Sequence, residues 1–379
     1  MIVLIVGGKL QGTEAVYLAK KAGYETWLVD RDPNALAVHL CDRFFCVDAM
    51  KESTMLQLFR NVDFVIPGIE NQKVLKALTH YSNIATTPIA FDAAAYAVSV
   101  SKRRSNAFFA KHNIPIPKAY PEGAYPLIAK PSDRSGSEGV RLIHSPEELA
   151  IHPEYLNKDY ILQEYLSGRS FSIEVIGDGD IYNILQITEI IVDDVYDCKQ
   201  VVAPARISQS MRRTFEKIAV DLAEALRIHG IFDIEVIEHQ GQIKVLEIDA
   251  RLPSQTPISV YHSTGINMVE LLADVAFQCV HSVAVETKRV CLLQQVEVAP
   301  DYVVLLGEHI MATAGPMNLI EGFFGADEGI TNYATGKTHW QATLIITAGS
   351  EHQARLRLAT VLKNIREHQK MTAFQEAIG

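Results

Sequence analysis

Residues 231–250, "IFDIEVIEHQGQIKVLEIDA", predict two strands joined by a turn at "QGQ" (240–242). Glu247 and Asp249 are two residues apart and therefore face the same side of their strand, as Asp233 and Glu235 do on the other. Carboxylates on a largely apolar strand are costly to bury unless a cation meets them. Mg²⁺ takes such oxygen ligands and usually also bridges to substrate phosphates. The stretch therefore predicts a magnesium site, whereas a half-exposed hairpin with solvated acids is the alternative.

Two lysines and a glycine-rich loop precede this hairpin. Lys130 ends the predicted strand "YPLIAKP" (125–131), directly before the loop "SDRSGSEGV" (132–140), a position suited to a phosphate contact beneath a lid. Lys102 lies in "SKRRS" within a single helix predicted over 92–112, where spacing alone favours a solvated basic face. The segment "LQEYLSG" (162–168) could hold a nucleoside at a strand end, although taken alone it is better explained as a domain linker.

The beginning of the chain alternates short apolar strands, at 2–6, 25–29, 44–48 and 63–67, with helical stretches. This alternation predicts a parallel, doubly wound sheet. The loop "GGKLQG" (7–12) follows the first strand, but it lacks the Lys-Ser/Thr of a Walker loop. Lys9 also stands where a dinucleotide fingerprint needs a bare glycine, although Asp30 at the end of the second strand keeps a dinucleotide site open. A tight turn without a ligand is the third reading.

Composition limits the function classes. The 379-residue chain has a net charge of −10, which argues against a nucleic-acid or anionic-membrane partner. Its five cysteines form no Cys-x-x-Cys pair, and no apolar run approaches the roughly 18 residues of a membrane span. We expect a soluble cytoplasmic protein.

Taken in order, these pieces resemble the ATP-grasp ligases over nearly the whole chain. Within that superfamily, "GGKLQG", "VYDC" (195–198), "GIFDIE" (230–235) and "LEIDARLPSQTP" (246–257) resemble the 3-methylornithine–L-lysine ligases of pyrrolysine biosynthesis. The resemblance implies an α/β protein (α+β overall) with the ATP-grasp fold. Its expected units are a Rossmann-like domain at 1–90, a linker helix and lid subdomain at 91–165, and a C-terminal catalytic domain with a mixed sheet at 166–379.

The resemblance also implies the roles of individual residues. The phosphates of ATP would contact Lys102 and Lys130, with Ser137 in the closing lid. The other expected nucleotide contacts are Lys9, Asp30, Asp48, Gln163, Glu164, Tyr165 and Leu166. Mg²⁺ would bind Glu235, Glu247 and Asp249. The expected methylornithine contacts are Ser172, Ile173, Glu174, Asp233, Glu247, Ser254, Gln255 and Thr256. Leu10, Gln11 and Glu70 would recognise the acceptor lysine, and Arg251 and Lys130 would act in catalysis.

The implied activity is the ATP- and Mg²⁺-dependent joining of (3R)-3-methyl-D-ornithine to the ε-amine of L-lysine through an acyl phosphate, with release of ADP and phosphate. The alternatives are another ATP-grasp amino-acid ligase, an NAD-dependent oxidoreductase that uses Asp30, and a non-catalytic nucleotide sensor. We expect small-molecule amino-acid substrates, no nucleic acid, no membrane, and a monomer or homodimer.

Overall fold

The structure is a computed structural model that describes residues 1–134 and 139–378, with side chains up to residue 370. Its first unit is a parallel four-stranded sheet in the order β3-β2-β1-β4. The elements of this unit are β1 (Ile2–Val6), α1 (Leu10–Lys21), β2 (Glu25–Asp30), β3 (Arg43–Cys46), α2 (Glu52–Phe59), β4 (Phe64–Pro67) and α3 (Gln72–Ala85). The predicted doubly wound parallel sheet is therefore confirmed.

The helix predicted over 92–112 is wrong as a single element. Two helices form instead, α4 (Ala93–Ser99) and α5 (Lys102–Lys111). Asp92 caps α4 through the amides of Ala94 and Ala95, and extended backbone at Ser101 starts α5 afresh. The amide of Lys102 then donates to the carbonyl of Ser132, so the end of a distant strand supplies the cap of α5. A partner 30 residues away gives no local signal in the sequence.

The second unit is a small antiparallel sheet in the order β6-β5-β7. Its elements are β5 (Leu127–Pro131), β6 (Arg141–Ile143), α6 (Pro146–Ile151) and β7 (Tyr160–Glu164). Lys130 lies at the end of β5 opposite Ile161 of β7. The predicted lid contact Ser137 lies outside the described residues.

The third unit is a large sheet with the order β13-β12-β8-β10-β11-β14-β18-β17-β16, to which β9 and β15 attach at β8 and β14. Its elements are β8 (Arg169–Asp178), β9 (Tyr182–Ile184), β10 (Thr188–Val192), β11 (Cys198–Ala203), α7 (Gln209–Leu226), β12 (His229–His239), β13 (Gln242–Asp249), α8 (Thr256–Thr264), α9 (Met268–Ala276), β14 (Val290–Ala299), β15 (Tyr302–Val304), β16 (Asn318–Glu321), β17 (Glu328–Thr331), β18 (Trp340–Ala348) and α10 (Glu351–Ile378). The predicted hairpin at 231–250 is β12 and β13.

The expectation of a mixed sheet in this unit is wrong. Among the described residues every strand pairing of the large sheet is antiparallel. Several of these neighbours are joined by short turns, such as Gln240–Gly241 between β12 and β13, and short turns can connect only antiparallel strands.

The first and third units share one hydrophobic core. Val3 and Val16 of the first unit belong to the same buried cluster as Ile258 of α8 and Leu271 of α9. Helix α1 is therefore packed directly on the segment that follows the acidic hairpin. Within the described part of the chain, no helix is long and apolar enough to cross a bilayer. The domain boundaries at 90/91 and 165/166 stay a prediction.

Candidate active site

The acids of the β12–β13 hairpin lie side by side. Asp233 is opposite Asp249 and Glu235 is opposite Glu247 in the strand register. The neighbouring strand β8 places Glu174 beside Asp233 and Ser172 beside Glu235. The pattern of acids two residues apart therefore produces one carboxylate face, and the solvated-hairpin alternative does not describe it, because Asp233 and Glu174 are buried.

The carboxylates oppose one another's ionisation. Burial and the neighbouring acids raise the pKa of Glu235 to about 8 and that of Asp249 to about 6. The pKa of Asp233 also lies well above its ordinary value for the same reasons. A divalent cation would remove this repulsion, and the oxygen ligands of Glu235, Glu247 and Asp249 suit Mg²⁺. The carboxylates present therefore supply the ligand chemistry of the metal that the sequence predicts.

Lys102 and Lys130 lie close to these acids. The Nζ atom of Lys102 lies 2.7 Å from Oε2 of Glu247. Burial raises the pKa of Glu247, but Lys102 and Lys130 outweigh that effect and hold it below its ordinary value. Burial also lowers the pKa of Lys130, against the opposing pull of Glu247. The solvated helix face favoured by spacing alone is thus wrong for Lys102, whose side chain is 18% exposed.

A cavity of about 210 Å³ opens beside the lysines, between the small sheet and the large one. Its polar walls include Lys102, Lys130, Glu235 and Glu247, and its apolar walls include Ile128 and Leu246. The segment Gln163, Glu164, Tyr165 and Leu166 lines the same cavity. Glu164 Oε1 also accepts a hydrogen bond of 2.8 Å from the amide of Lys118, which fixes this segment. An apolar slot next to paired ammonium groups suits a nucleotide, with its base between the apolar walls and its phosphates at the lysines. We call this space the nucleotide cavity.

A smaller cavity of about 130 Å³ lies beyond the acids. It is lined by Ser172, Tyr196, Asp197, Cys198, Asp233, Glu235, Glu247, Asp249, Arg251, Ser254, Gln255, Thr256 and Glu308, among others. We call it the donor cavity, because most of the residues expected to contact methylornithine, the carboxyl donor of the reaction, line it. Two buried carboxylate oxygens accept no hydrogen bond from any described residue: Oδ1 of Asp233, which lines this cavity, and Oε2 of Glu174, a predicted substrate contact that does not line it. Thr256 lies close enough to lower the pKa of Glu174, but no hydrogen bond of normal geometry joins the two. Buried acceptors without donors are costly, so a ligand with ammonium groups suits this cavity.

Ile173 does not line the donor cavity with its side chain. Along β8 the side chains of Phe171, Ile173 and Val175 point into a hydrophobic cluster, whereas Ser172 and Glu174 point to the other face. Side chains alternate across a strand, so Ile173 can contact a substrate only through its backbone. The prediction of Ile173 as a substrate contact needs this correction.

Arg251 joins the donor cavity to a third one. Its Nη2 atom lies 2.6 Å from Oε1 of Glu70 and 3.1 Å from Oδ2 of Asp249. Burial lowers the pKa of this guanidinium, but Asp249 and Glu70 raise it above its ordinary value, so it is always charged. Glu70 Oε1 also accepts a hydrogen bond of 2.5 Å from Nε2 of Gln11. The guanidinium therefore connects the acidic face to the glycine loop of the first unit.

The third cavity, of about 610 Å³, surrounds the loop at residues 7–12. We call it the acceptor cavity, because the residues expected to recognise the acceptor lysine line it. It brings together Leu10, Gln11 and Glu70, the predicted acceptor contacts, with Arg251, Ser254 and Glu308. Lys9, Asp30 and Asp48 also line it, although they were predicted as nucleotide contacts, and they do not line the nucleotide cavity. The carboxylate of Asp30 accepts the amide of Gly8 at 2.7 Å. Asp30 thus holds the glycine loop itself, which explains an acid at this position without a dinucleotide.

Glu308 and Glu14 are functional candidates that the sequence analysis missed. Glu308 lines both the donor and the acceptor cavity and accepts hydrogen bonds from Ser254 Oγ and Gln255 Nε2. Burial raises its pKa to about 7, with Asp197 adding to the rise. Glu308 belongs to a short 3₁₀ turn more than 50 residues after the hairpin, and Glu14 is one acid in a helix. No local pattern distinguishes either from a surface acid.

Asp193 and the Asp197 of the "VYDC" segment explain why Glu308 points inward. Asp197 Oδ2 accepts the amide of His309 at 2.6 Å, and Asp193 Oδ2 accepts the amide of Gly307 at 2.9 Å. The ring of His309 also contacts Asp197. These carboxylates therefore fasten both neighbours of Glu308 and orient its side chain.

Comparisons with known proteins agree with this geometry. Residues 3–88 match the model of the PylC-like N-terminal domain, and residues 100–255 match the model of the ATP-grasp domain. The N5-carboxyaminoimidazole ribonucleotide synthetase of Thermotoga maritima superimposes with a TM-score of 0.66 at 19% identity, over 96% of this chain and 98% of that one. The biotin carboxylase–β-γ-ATP complex of Campylobacter jejuni gives a TM-score of 0.73 at 13% identity, over 98% and 94%. Fold and site thus define an ATP-grasp enzyme with a PylC-like N-terminal domain, and the predicted fold class is confirmed.

The 3-methyl-D-ornithine–L-lysine ligase of Methanosarcina acetivorans is 36% identical over 314 residues, which cover 82% of this chain and 84% of that protein. The ligase of Methanosarcina mazei is equally similar over 317 residues. The chain belongs to the family of 3-methyl-D-ornithine–L-lysine ligases. The family predicted from the sequence motifs is therefore confirmed, and these comparisons give no support to an oxidoreductase.

Proposed function

We propose that this protein joins the carboxylate of 3-methyl-D-ornithine to the ε-amine of L-lysine, using ATP and Mg²⁺ and releasing ADP and phosphate. The observation that carries the proposal is the row of three cavities, which meet at the acids and Arg251. Glu235 and Glu247 line both the nucleotide and the donor cavity, and Arg251 lines both the donor and the acceptor cavity. Such a row suits one nucleotide and two amino acids that must react in sequence.

In the first step, a carboxylate oxygen of the donor attacks the γ-phosphorus of ATP. The bond between that phosphorus and the β–γ bridging oxygen breaks, ADP leaves with the electron pair, and an acyl phosphate forms. Lys102 and Lys130 neutralise the charge that spreads over the phosphate oxygens. Bound at Glu235, Glu247 and Asp249, Mg²⁺ would supply further positive charge to the same oxygens. Phosphoryl transfer by this route needs positioning and positive charge, which this face of the site provides.

In the second step, the neutral ε-amine of lysine attacks the acyl carbon, and phosphate leaves. This amine has a reference pKa of about 10.4 and must first lose a proton. Glu308 lies where the donor and acceptor cavities meet, and its raised pKa of about 7 suits a proton acceptor. Arg251 can hold the negative oxygen of the tetrahedral intermediate while its contact with Glu70 keeps it at the acceptor side.

Two buried oxygens without partners, one in the wall of the donor cavity and one near it, support a diamino acid as donor. Glu174 Oε2 and Asp233 Oδ1 are separate acceptors, and ornithine carries two ammonium groups beside its carboxylate. A neutral side chain would leave at least one of these acceptors without a donor, which costs about 1–3 kcal/mol. The two buried acceptors therefore favour basic donor amino acids over other amino-acid substrates.

A substrate panel tests the proposal. The purified protein receives ATP, Mg²⁺ and pairs of amino acids, with 3-methyl-D-ornithine, D-ornithine or D-norvaline as donor and L-lysine or L-ornithine as acceptor. We expect the amide product, measured by mass, and equimolar ADP with the first donor and lysine, and a loss of at least about 10-fold in kcat/KM with D-norvaline. AMP in place of ADP, or a preference for D-norvaline, would contradict the proposal.

A further inference from the structure

The carboxylate of Glu14 connects the first unit to residues Ser254–Gln255–Thr256 of the third unit. These three residues line the donor cavity, and we call them the donor segment. Glu14 lies on α1 and is 5% exposed. Its Oε1 atom accepts the amide of Gln255 at 2.8 Å, and its Oε2 atom accepts the amide of Ile258 at 2.9 Å. Both oxygens of one buried acid thus hold the start of α8.

Helix α8 has no cap of its own at this end. Its N-cap residue is Gln255, whose side chain makes no capping hydrogen bond and donates to Glu308 instead. Pro257 has no amide hydrogen, so Glu14 satisfies the exposed amides that a Ser, Thr or Asp would ordinarily satisfy. Burial raises the pKa of Glu14 to about 8. The hydrogen bonds from the amides of Gln255 and Ile258 oppose that rise, because they are stronger to the ionised carboxylate.

The backbone of Gln255 requires such a restraint. Its φ of +75° lies in the left-handed region, which is unfavourable for a residue with a Cβ atom. Strained backbone of this kind persists only where surrounding contacts over-determine it. The hydrogen bond from the amide of Gln255 to Glu14 and the hydrogen bond from its side chain to Glu308 supply those contacts. Both lie next to Ser254 and Thr256 of the donor cavity.

The same helix carries the acceptor side of the site. Leu10 and Gln11 in the first turn of α1 line the acceptor cavity. Residues three and four positions apart share a helix face, so Leu10 and Gln11 lie on the same side of α1 as Glu14. Any shift of α1 therefore moves the acceptor wall and the donor segment together.

We propose that Glu14 is a positioning residue that fixes the donor segment Ser254–Gln255–Thr256 to the helix that forms the acceptor wall. It contacts no substrate and acts through the backbone of Gln255 and Ile258. Its kinetic consequence rests on the proposed ligase function, whereas its structural consequence does not. Breaking the contact should loosen the donor segment while the nucleotide cavity, built from other elements, stays as it is.

The test compares Glu14→Gln with Tyr17→Phe. The amide of the introduced glutamine can accept only one of the two bonds and presents an NH₂ group to the other amide. Tyr17 lies one turn further along α1, where its hydroxyl donates to Glu328 and contacts His262 near the opposite end of α8. Tyr17→Phe therefore removes a second buried contact between α1 and its neighbours, far from Gln255.

Two readouts separate positioning from a general loss of stability. By hydrogen exchange, the peptide covering residues 252–258 should exchange faster in Glu14→Gln and not in Tyr17→Phe. By kinetics, kcat/KM for the donor should fall about 10- to 100-fold in Glu14→Gln, with the KM for ATP changed less than 2-fold. Equal exchange and equal kinetics in the two variants would overturn the proposal, as would a Glu14→Gln enzyme with unchanged donor kinetics.

The wild-type protein offers a measurement that survives a variant that does not fold. The amides of Gln255 and Ile258 should exchange as slowly as those of the central strands, and rapid exchange at both would overturn the proposal. If the wild type forms no amide product at all, the ligase function fails, and the exchange contrast alone then decides the role of Glu14.

Discussion

Glu247 is the residue at which the charges of the site meet. Its carboxylate pairs with Lys102, and its pKa is held below the ordinary value, while the pKa of Glu235 beside it is raised to about 8. Without a cation, Glu235 therefore keeps its proton to a higher pH than an isolated acid, whereas Glu247 is ionised. In the proposed reaction, a divalent cation would favour the ionised forms of these acids, while Lys102 and Lys130 would attract the negative charge of the transferring phosphoryl group.

Glu308 should control the pH dependence of the second step. Its pKa of about 7 is raised by burial, so it is protonated below that pH and ionised above it. If the ionised form accepts the proton of the acceptor amine, kcat/KM for lysine should rise about tenfold per pH unit below pH 7 and become independent of pH above it. Glu308→Gln should lose this slope and most of the activity. Glu297→Gln, which removes a carboxylate in β14, should keep both, and an unchanged profile in Glu308→Gln would assign the proton to another group.

Gln11 and Lys9 distinguish the two interpretations of the glycine loop. Gln11 donates to Glu70 at the wall of the acceptor cavity, so Gln11→Ala should raise the KM for lysine about 10-fold and leave the KM for ATP unchanged. Lys9→Ala is the matched change two positions away on the same loop. A larger effect of either variant on ATP than on lysine, in steady-state assays, would restore the phosphate-loop interpretation.

At the scale of single residues, the sequence predicts site residues that follow a regular spacing within one strand. It misses residues that only folding brings to the site from distant parts of the chain. Acids two positions apart on a strand are recognisable because a strand has a period of two. Ile173 fails for the same reason, since a run of neighbouring residues cannot all face one pocket. Glu308 and Glu14 are brought to the site by folding alone, and only the structure shows them.

Among the elements, the strands and the hairpin follow from the sequence and the break between α4 and α5 does not. Apolar runs separated by turn residues identify the strands of the first sheet and of residues 231–250. The segment around Ser101 contains neither glycine nor proline, and its helix start depends on Ser132 from another unit. This break is nevertheless what brings Lys102 to Glu247.

Helix α1 depends on a close approach of glycines. A Cβ atom on Gly12 would lie 1.9 Å from the carbonyl oxygen of Gly7, too close for any side chain. Gly12→Ala should therefore displace α1 and lower the free energy of unfolding by about 1–3 kcal/mol or more. Urea denaturation measures this change. Gly349→Ala, where the nearest atom is the flexible end of Gln353 at 3.3 Å, should cost little, and equal stability of the two variants would contradict the account.

For the whole molecule, the row of cavities depends on all three units. The small sheet covers the nucleotide cavity, the large sheet supplies the acids, and the first unit encloses the acceptor cavity. The order of motifs along the sequence predicts these units but not how they meet. The shared core between α1 and α8 arises from long-range packing, which has no periodic signature.

The buried acids should make the ligand-free protein less stable as pH rises. Burial raises the pKa of Glu174 and Glu308 to about 7 and that of Glu14 to about 8, from ordinary values near 4.5. Between roughly pH 4.5 and 8 the folded protein therefore binds more protons than the unfolded chain, and stability falls as pH rises through this window. The melting temperature should be lower at pH 8 than at pH 6.

Ligands should reverse this trend. Donor amino acid added with MgADP brings cations to the acids that line the donor cavity, so the gain in melting temperature should be larger at pH 8 than at pH 6. A melting temperature of the ligand-free protein that rises from pH 6 to pH 8 would contradict the raised pKa values of these acids.

The most direct test of the proposed reaction follows oxygen from the donor carboxylate. 3-Methyl-D-ornithine labelled with ¹⁸O in both carboxylate oxygens is incubated with ATP, Mg²⁺ and L-lysine, and the products are separated and weighed by mass spectrometry. Attack on the γ-phosphorus predicts one ¹⁸O atom in inorganic phosphate, one in the amide carbonyl and none in ADP. Label in AMP, or unlabelled phosphate beside a labelled amide, would contradict the account.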